Sequence, residues 1–246
     1  YGIEYVLVGS EMLIRDSNKM AGPVHLKIDI KALENMSIVG ADKLDWIIPG
    51  DSDMSLVQFE VSDSSKSFTY KWVYRSTMGE PVTSYRTHRY AIPFKGGPFT
   101  LTQGFNGKTS HNDHITSHYS LDFGLPVNTP IIAARKGIVM DAAKDFSRAG
   151  WDPSYLDEAN MVRILHQDNS MAVYAHLALD SLVVRIGDKV KKGQLLGYSG
   201  NTGYFSGTHL HFSIQFNNGQ ELISIPFELE GYPSKLSPGT LVKGKP

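Results

Sequence analysis

Short runs in which apolar and polar residues alternate, with turn residues between them, recur through the first part of this chain. Successive side chains of a β-strand point to opposite faces, so this alternation indicates strands with one buried face. Residues 26–31, 57–61 and 68–74 show the pattern, and the segments between them contain the Gly, Pro, Asp and Ser typical of turns. We therefore predict a small antiparallel β-sandwich in this part of the chain.

The second part of the chain also consists of short apolar or alternating runs, which predict strands and hairpins. They lie at residues 130–134, 137–140, 161–166, 171–176, 209–216 and 221–225, with His166 expected on the surface of a hairpin. A segment with two prolines and two glycines, residues 90–98, suggests a β-rich N-terminal domain over 1–92 and a second domain with a C-terminal tail over 93–246. One helix candidate, residues 142–160, is interrupted by a glycine and a proline. The expected fold class is mostly all-β.

Charge and cysteine content exclude several classes of function. The first 95 of the 246 residues carry 11 basic and 12 acidic side chains and the rest carry 13 of each, so neither part has the cationic excess that nucleic acid binding requires. The absence of cysteine excludes disulfides, thiolate zinc sites and a cysteine nucleophile. No apolar run approaches the ~18 residues of a membrane span. Because the chain begins at Tyr1 and lacks cysteine, we expect an exported protein (periplasmic, cell-envelope or secreted) whose signal peptide has been removed.

Two histidines near the C-terminus, His209 and His211, lie two residues apart beside a Gly-rich loop. In a β-strand these two side chains share one face, while Leu210 and Phe212 point to the opposite face and into a core. Imidazoles change charge near neutral pH and are common metal ligands, so such a pair suits a metal site or proton transfer.

A second pattern, His118-x-Ser120-x-Asp122, places a histidine and a carboxylate on one face if the segment is a strand. Opposite the His-x-His strand it would supply two imidazoles and one carboxylate. Three such ligands leave a fourth tetrahedral position for water, as in catalytic zinc sites. A metal that prefers oxygen ligands would need more carboxylates, so zinc is favoured over magnesium or calcium.

Four motifs in a fixed order carry a resemblance to a known family. They are the Asp122 strand, VYAHL at residues 173–177, SGNTG at residues 199–203 and THLHF at residues 208–212. Together they resemble the lysostaphin-type zinc endopeptidases, the M23 or LytM family, from roughly Thr100 to Pro226. The resemblance implies an antiparallel β-sheet groove with zinc on its floor. It also implies a zinc-dependent endopeptidase that hydrolyses peptide cross-links or bridges of bacterial peptidoglycan.

The resemblance assigns roles only where the residues match. Asp122 and His211 correspond to zinc ligands, and His176 and His209 correspond to the two histidines that assist catalysis without binding zinc. Tyr204, in the Gly-rich loop before His209, is a candidate for substrate contact.

The first zinc ligand has two main candidates. His118 keeps the usual four-residue step to Asp122, although Ser120 stands where the common motif has glycine. A second branch of the family, which includes the staphylolytic elastase-like enzymes, takes this ligand from a loop well before the aspartate strand, and His111 fits that branch. Strand parity favours His118, whereas the branch resemblance favours His111, to which we give preference. His114 is a third candidate.

A rival function is a non-enzymatic module. Some relatives of the family have lost zinc ligands and act as binders or activators of other cell-wall hydrolases, whereas the ligand set of this sequence is complete. The N-terminal domain could position the enzyme on the wall, extend the groove or cover it. Residue patterns favour none of these three roles, and they fix neither the bond cleaved nor the oligomeric state.

Overall fold

The chain divides into two compact units, residues 1–81 and residues 82–246. In the part that the structure describes, no helix has the length and apolar character needed to cross a membrane. Backbone alone is described for residues 2–8, Glu11, Pro153 and Tyr204. The structure, a computed structural model, describes residues 2–8, 11–40, 43–150, 152–155, 158–204 and 207–246.

The first unit consists of antiparallel strands that form two sheets. The strands are β1 (Gly2–Val8), β2 (Glu11–Asn18), β3 (Val24–Glu34), β4 (Met36–Val39), β5 (Asp45–Ile48), β6 (Ser52–Val61) and β7 (Thr69–Met78). The strand orders of the two sheets are β1-β2-β6-β4 and β5-β3-β7.

One apolar core joins the two sheets of the first unit. Ile14 of β2 and Phe59 of β6 come from one sheet, and Leu26 and Ile28 of β3 come from the other. Leu26 and Ile28 are two residues apart, so the alternation along β3 turns both toward this core. Two sheets that share inner faces in this way form a small β-sandwich, as the alternating runs predict.

The second unit contains the remaining strands and one 3₁₀ turn, Pro153–Tyr155. The strands are β8 (Arg89–Tyr90), β9 (Phe99–Gln103), β10 (Ser120–Gly124), β11 (Pro130–Ile132), β12 (Gly137–Ala143), β13 (Ala149–Gly150), β14 (Met161–Leu165), β15 (Met171–Ala175), β16 (Lys189–Val190), β17 (Leu195–Tyr198), β18 (Gly203–Tyr204), β19 (Leu210–Asn217), β20 (Leu222–Ser224), β21 (Glu228–Leu229) and β22 (Leu241–Val242).

One large antiparallel sheet dominates this unit, with the order β16-β12-β14-β15-β19-β10-β9-β22 and with β20 paired to β19. Along β19, Leu210, Phe212 and Ile214 are fully buried in the core. The ring of Phe212 lies 5.1 Å from that of Tyr174 on the adjacent strand, measured between centroids. Because side chains alternate, the opposite face of the sheet carries His211 and forms the floor on which the candidate site lies.

The boundary between the units lies before the expected one at residue 92. Residues 82–92 belong to the second unit because Tyr90 is buried in its core, with 1% of its surface exposed. Arg89 Nε also donates a hydrogen bond to Glu228 Oε2 at 2.8 Å, across the parallel pair β8–β21. The prolines and glycines that suggested a linker lie in bends and irregular backbone of this unit, and Phe94 in the same segment is fully buried in its core.

The prediction of a helix at residues 142–160 is wrong for the residues of this segment that the structure describes. The segment contains the end of β12, the short strand β13 and the 3₁₀ turn, but no α-helix among its described residues. Gly150 takes a φ of 142°, which a helix does not allow. Asn160 closes the segment into a loop: its amide donates to the Phe146 carbonyl at 2.8 Å and accepts from the Phe146 N–H at 2.9 Å.

Candidate metal centre and active site

Asp122 and His211 lie directly opposite each other on the neighbouring strands β10 and β19. Their sequence neighbours Leu121 and Phe212 are buried in the apolar core, so both polar side chains point to the other face of the sheet. His211 Nδ1 donates a hydrogen bond to Asp122 Oδ1 at 2.9 Å. The register of these two strands therefore places an imidazole against a carboxylate.

His111 reaches the same carboxylate from the loop between β9 and β10. Its side chain is fully buried, and its Nδ1 donates a hydrogen bond to the Gly104 carbonyl at 2.8 Å. Its Nε2 lies 3.0 Å from Asp122 Oδ2. One potential ligand atom from each of His111, Asp122 and His211 lies within 4.8 Å of the other two, and no other such group occurs among the described residues.

The hydrogen bond at Nδ1 of His111 determines what its other nitrogen presents. Because Nδ1 carries the hydrogen donated to Gly104, the neutral ring has a lone pair at Nε2. This buried nitrogen has no properly aligned hydrogen-bond partner in the described structure, although Asp122 Oδ2 is 3.0 Å away. Two acceptors held this close in a buried site require a cation between them.

A proton at His111 Nε2 is one such cation and a metal ion is another, and the two compete for the position. Two imidazoles and one carboxylate form a donor set that suits zinc, with room for a further ligand. The hydrogen bond from His111 to the Gly104 carbonyl is typical of the outer contacts that orient ligand histidines. The residues present therefore fit a zinc ion.

The carboxylate at the centre of this group is ionised. Burial alone would raise the pKa of Asp122, but its contacts with His111 and His211 outweigh burial and hold the pKa well below its ordinary value. Burial lowers the pKa of His111, but Asp122 and the backbone hydrogen bonds at Gly104 and Ser120 together raise it by more, so the net direction is upward. The negative charge of Asp122 thus controls the electrostatics of the group.

His118 and His114 do not belong to this group. Strand β10 begins at Ser120, so His118 lies in the turn before it, and the alternation of faces that favoured His118 does not extend to that residue. The His118 carbonyl instead accepts a hydrogen bond from Asn106 N at 2.6 Å. His114 is exposed. The loop histidine, His111, is the one that the structure brings to the carboxylate.

His176 lies immediately after β15, and its ring is close to those of His209, just before β19, and His211, within β19. Its φ of 65° is a left-handed conformation that costs a non-glycine residue roughly 1–2 kcal/mol. Its Nδ1 donates to the Thr202 carbonyl at 2.7 Å, which leaves Nε2 as the nitrogen with a lone pair. Burial, together with the nearby His209 and His211, lowers the pKa of His176 to about 3, so the ring is neutral at neutral pH.

His209 lies beside both His176 and the carboxylate. The centroids of the His176 and His209 rings are 4.5 Å apart, and His209 Nε2 is 3.9 Å from Asp122 Oδ1. His209 Nδ1 donates to the Gly207 carbonyl at 2.8 Å, which again directs Nε2 toward the group. The two histidines that the family resemblance assigns to catalysis therefore lie together at the edge of the three potential ligands.

The SGNTG motif allows the loop before His209 to approach the end of β15 closely. Gly200 N donates to the His176 carbonyl at 2.9 Å. A Cβ at Gly200 would lie 2.5 Å from backbone atoms of Ala178, so any larger residue would move this loop. Tyr204 belongs to the same loop, but its side chain, and hence its predicted contact with substrate, lies outside the described part of the structure.

Sequence reasoning missed the residues that hold these histidines in place. Gln103 donates to Asp122 Oδ2 at 2.9 Å, Gly104 accepts from His111, and Thr202 accepts from His176. Gly104 and Thr202 act through backbone carbonyls, which any residue provides, so a single sequence carries no signal for them. Gln103 directly opposes Asp122 across the strand pair β9–β10. A sequence could predict this contact only if it first predicted that β9 and β10 are paired in this register.

Comparison with known proteins identifies the class of protein that this fold and site define. Residues 116–222 match the model of peptidase family M23. This range contains Asp122, His176, His209 and His211, whereas His111 precedes it. The second unit of the chain therefore contains a region of the peptidase family M23 type, similar to the lysostaphin and LytM peptidases.

Two curated relatives illustrate the similarity. The glycyl-glycine endopeptidase ALE-1 of Staphylococcus capitis is 30% identical over 151 residues, which is 60% of this chain and 36% of that protein. The peptidoglycan DD-endopeptidase ShyA of Vibrio cholerae is 30% identical over 128 residues, which is 51% of this chain and 26% of that protein. The chain thus spans well under half the length of these relatives.

A solved structure is also similar. It is the catalytic domain, in a point-mutant form, of the prophage-encoded M23 protein EnpA from Enterococcus faecalis. Identity is 26%, the match covers 55% of this chain and 93% of that chain, and the TM-score is 0.40.

Proposed function

We propose that this chain is a zinc-dependent endopeptidase that hydrolyses peptide cross-links or bridges of bacterial peptidoglycan. One observation carries the proposal: His111, Asp122 and His211 offer three ligand atoms within 4.8 Å, and His176 and His209 lie beside them. A metal site with two further imidazoles at its edge has the parts needed for amide hydrolysis.

Zinc is the proposed metal, held by His111 Nε2, an oxygen of Asp122 and a ring nitrogen of His211. The set contains only one carboxylate, and calcium and magnesium prefer sites with more oxygen ligands. When bound, zinc lowers the pKa of a water molecule and polarises a carbonyl group. The Gly104 carbonyl fixes the tautomer of His111, so Nε2 is ready to bind the ion without rearrangement.

His176 and His209 supply the proton chemistry. Each donates Nδ1–H to a backbone carbonyl, so each presents an Nε2 lone pair to the reacting groups. A pKa of about 3 makes His176 a weak base, which favours His209 as the acceptor of the proton from the attacking water. Protonated His209 then returns that proton to the leaving amine. His176 accepts a hydrogen bond at Nε2 and so orients the water or the substrate amide.

The proposed substrate is a peptidoglycan peptide, and the proposed location is the cell envelope or the exterior of the cell. The support comes from relatives described as a peptidoglycan DD-endopeptidase and a glycyl-glycine endopeptidase. A non-enzymatic activator would need no ligand set, so the grouping of His111, Asp122 and His211 disfavours that alternative.

Digestion of purified peptidoglycan, followed by mass spectrometry of the released fragments, tests the proposed function. The proposal predicts new peptide amino and carboxyl ends, whose identities name the bond cleaved, and their loss when a zinc chelator is present. The activator alternative predicts no release by the protein alone but faster release when a second wall hydrolase is added. The His211→Ala variant is the matched control for contaminating hydrolases.

A further inference from the structure

We infer that Gln103 is a positioning residue for the metal site: it fixes the Asp122 carboxylate and the loop that carries His111 in one arrangement. The inference rests on the ligand set proposed above. Gln103 is the last residue of β9, directly opposes Asp122 of β10, and is buried. It donates to one proposed ligand, Asp122, and binds the two residues that precede another, His111.

The amide of Gln103 uses its full hydrogen-bonding capacity within the site. Its Nε2 donates to Asp122 Oδ2 and to Ser110 Oγ, each at 2.9 Å. Its Oε1 accepts from Thr109 N at 2.9 Å and from Ser110 N at 3.2 Å. A flipped amide would set Oε1 against the carboxylate and the NH₂ group against two N–H donors, so only one orientation is allowed.

The loop needs this support because no strand fixes His111. In the common family motif the first histidine ligand lies four residues before the aspartate, but here it lies on the loop between β9 and β10. The bonds of Gln103 to Thr109 and Ser110 hold the two residues immediately before His111. Gly107 packs against the same side chain, since a Cβ there would lie 2.3 Å from Gln103 Cγ.

Gln103 also determines which oxygen of the Asp122 carboxylate faces each neighbouring histidine. Its bond to Oδ2 of Asp122 leaves Oδ1 for His211 and directs Oδ2 toward His111. A carboxylate free to rotate would lose this arrangement. Outer contacts of this kind typically change metal affinity by 10–100-fold when they are removed.

The test is the zinc dissociation constant of purified full chains, measured by competition with a chromophoric chelator. Gln103→Met removes every bond of the amide at similar volume. Gln103→Glu keeps acceptors for the loop but replaces the donor to Asp122 by a second negative charge. We expect both variants to bind zinc 10–100-fold more weakly than the wild type. Gln167→Met, at an exposed position of the β14–β15 hairpin, is the matched control and should bind zinc with wild-type affinity.

Gly107→Ala provides a second test that removes no polar group. It displaces Gln103 from the loop side, so it should also weaken zinc binding, and circular dichroism of the metal-free chain will show whether each variant is folded. A double-mutant cycle separates positioning from a general loss of stability. In a His111→Ala background the effect of Gln103→Met on zinc affinity should shrink, because one of the two ligands it positions is absent.

The outcomes distinguish this inference from the proposed function. Wild-type zinc affinity in folded Gln103→Met and Gly107→Ala would overturn the inference and leave the proposed reaction intact. Weakened zinc binding in both variants, combined with a wild-type protein that cleaves no peptidoglycan, would support the inference and overturn the proposed reaction. If Gln103→Met weakens zinc binding as much in the His111→Ala background as in the wild type, that result would also count against a positioning role.

Discussion

Asp122 accepts a hydrogen bond from His211 across neighbouring strands, with Oδ1 and Nδ1 2.9 Å apart. The pair needs no loop to form it, since the register of β10 and β19 alone sets the two residues opposite each other. His111 joins the pair from a loop, and His176 and His209 lie at its edge. The roles of these residues can therefore be separated by substitution.

His211→Ala should remove both metal and activity, because it deletes one of three proposed ligands. His111→Ala should weaken zinc binding enough for dialysis to remove the metal, while the two remaining ligands keep a residual affinity that titration can measure. His118→Ala is the control, since that side chain lies outside the group, and it should keep one zinc per chain and most of the activity. The measurement is the zinc content of dialysed protein by atomic emission. Loss of zinc from His118→Ala, with full zinc in His111→Ala, would reverse the assignment.

His209→Ala should keep zinc and lose turnover. The side chain lies beside the proposed ligands but is assigned to proton transfer, and removal of a general acid–base residue typically costs ~10²–10⁴-fold in rate. Hydrolysis of a cross-linked peptide and zinc content should be measured on the same preparation. A variant that loses its metal stoichiometrically would show that His209 is a ligand instead.

Acid should destabilise the fold through His166. Burial lowers the pKa of this residue from its ordinary 6.5 to about 4, and its Nδ1 donates to the Lys136 carbonyl at 2.8 Å. In the unfolded chain His166 binds a proton below pH 6.5, whereas in the folded chain it does so only below about pH 4. The free energy of unfolding therefore falls as the pH drops through this range. The full effect is on the order of 3 kcal/mol.

His166→Gln keeps a donor for Lys136 but cannot be protonated, so its unfolding free energy should depend less on pH between 6.5 and 4. Urea denaturation of the chelated wild type and variant at several pH values in this range measures the difference. Other groups titrate equally in both proteins and cancel. Parallel pH profiles would show that His166 does not carry the acid sensitivity.

A fragment of residues 82–246 should fold, whereas a fragment of residues 93–246 should be much less stable. The shorter fragment lacks Tyr90, which is fully buried and whose ring lies 5.8 Å from that of Phe227. Loss of a buried aromatic side chain typically costs ~3–5 kcal/mol. Thermal unfolding by circular dichroism compares the two fragments. Equal melting temperatures would place the boundary after Tyr90.

The sequence was most informative where a local pattern decides the structure. Alternation predicted β3, β6 and β7, and the runs at residues 161–166 and 171–176 predicted the β14–β15 hairpin, all of which the structure confirms. The His-x-His strand and the aspartate strand were predicted to oppose each other, and they do. Among the histidines before Asp122, the resemblance to a family branch selected His111, whereas strand parity selected a residue that lies outside the strand.

The features that sequence reasoning missed depend on long-range contacts. His166 is buried, not on the surface, because the Tyr90 ring packs against it with centroids 5.7 Å apart, and these residues are far apart in the chain. The loop that was read as a helix candidate is closed by the side chain of Asn160. Gln103 meets Asp122 only once β9 and β10 are paired. Periodicity in a single sequence does not encode any of these contacts.

Zinc titration of chelated protein tests the central claim most directly. Cleavage of a purified peptidoglycan peptide is followed while zinc is added to the metal-free wild type, with His211→Ala as the control. The account predicts that activity is absent without metal, returns in proportion to added zinc and reaches its plateau at one zinc per chain, while the variant stays inactive. Full activity in the metal-free protein would contradict the account. So would a wild-type protein that binds one zinc per chain and still cleaves no peptide.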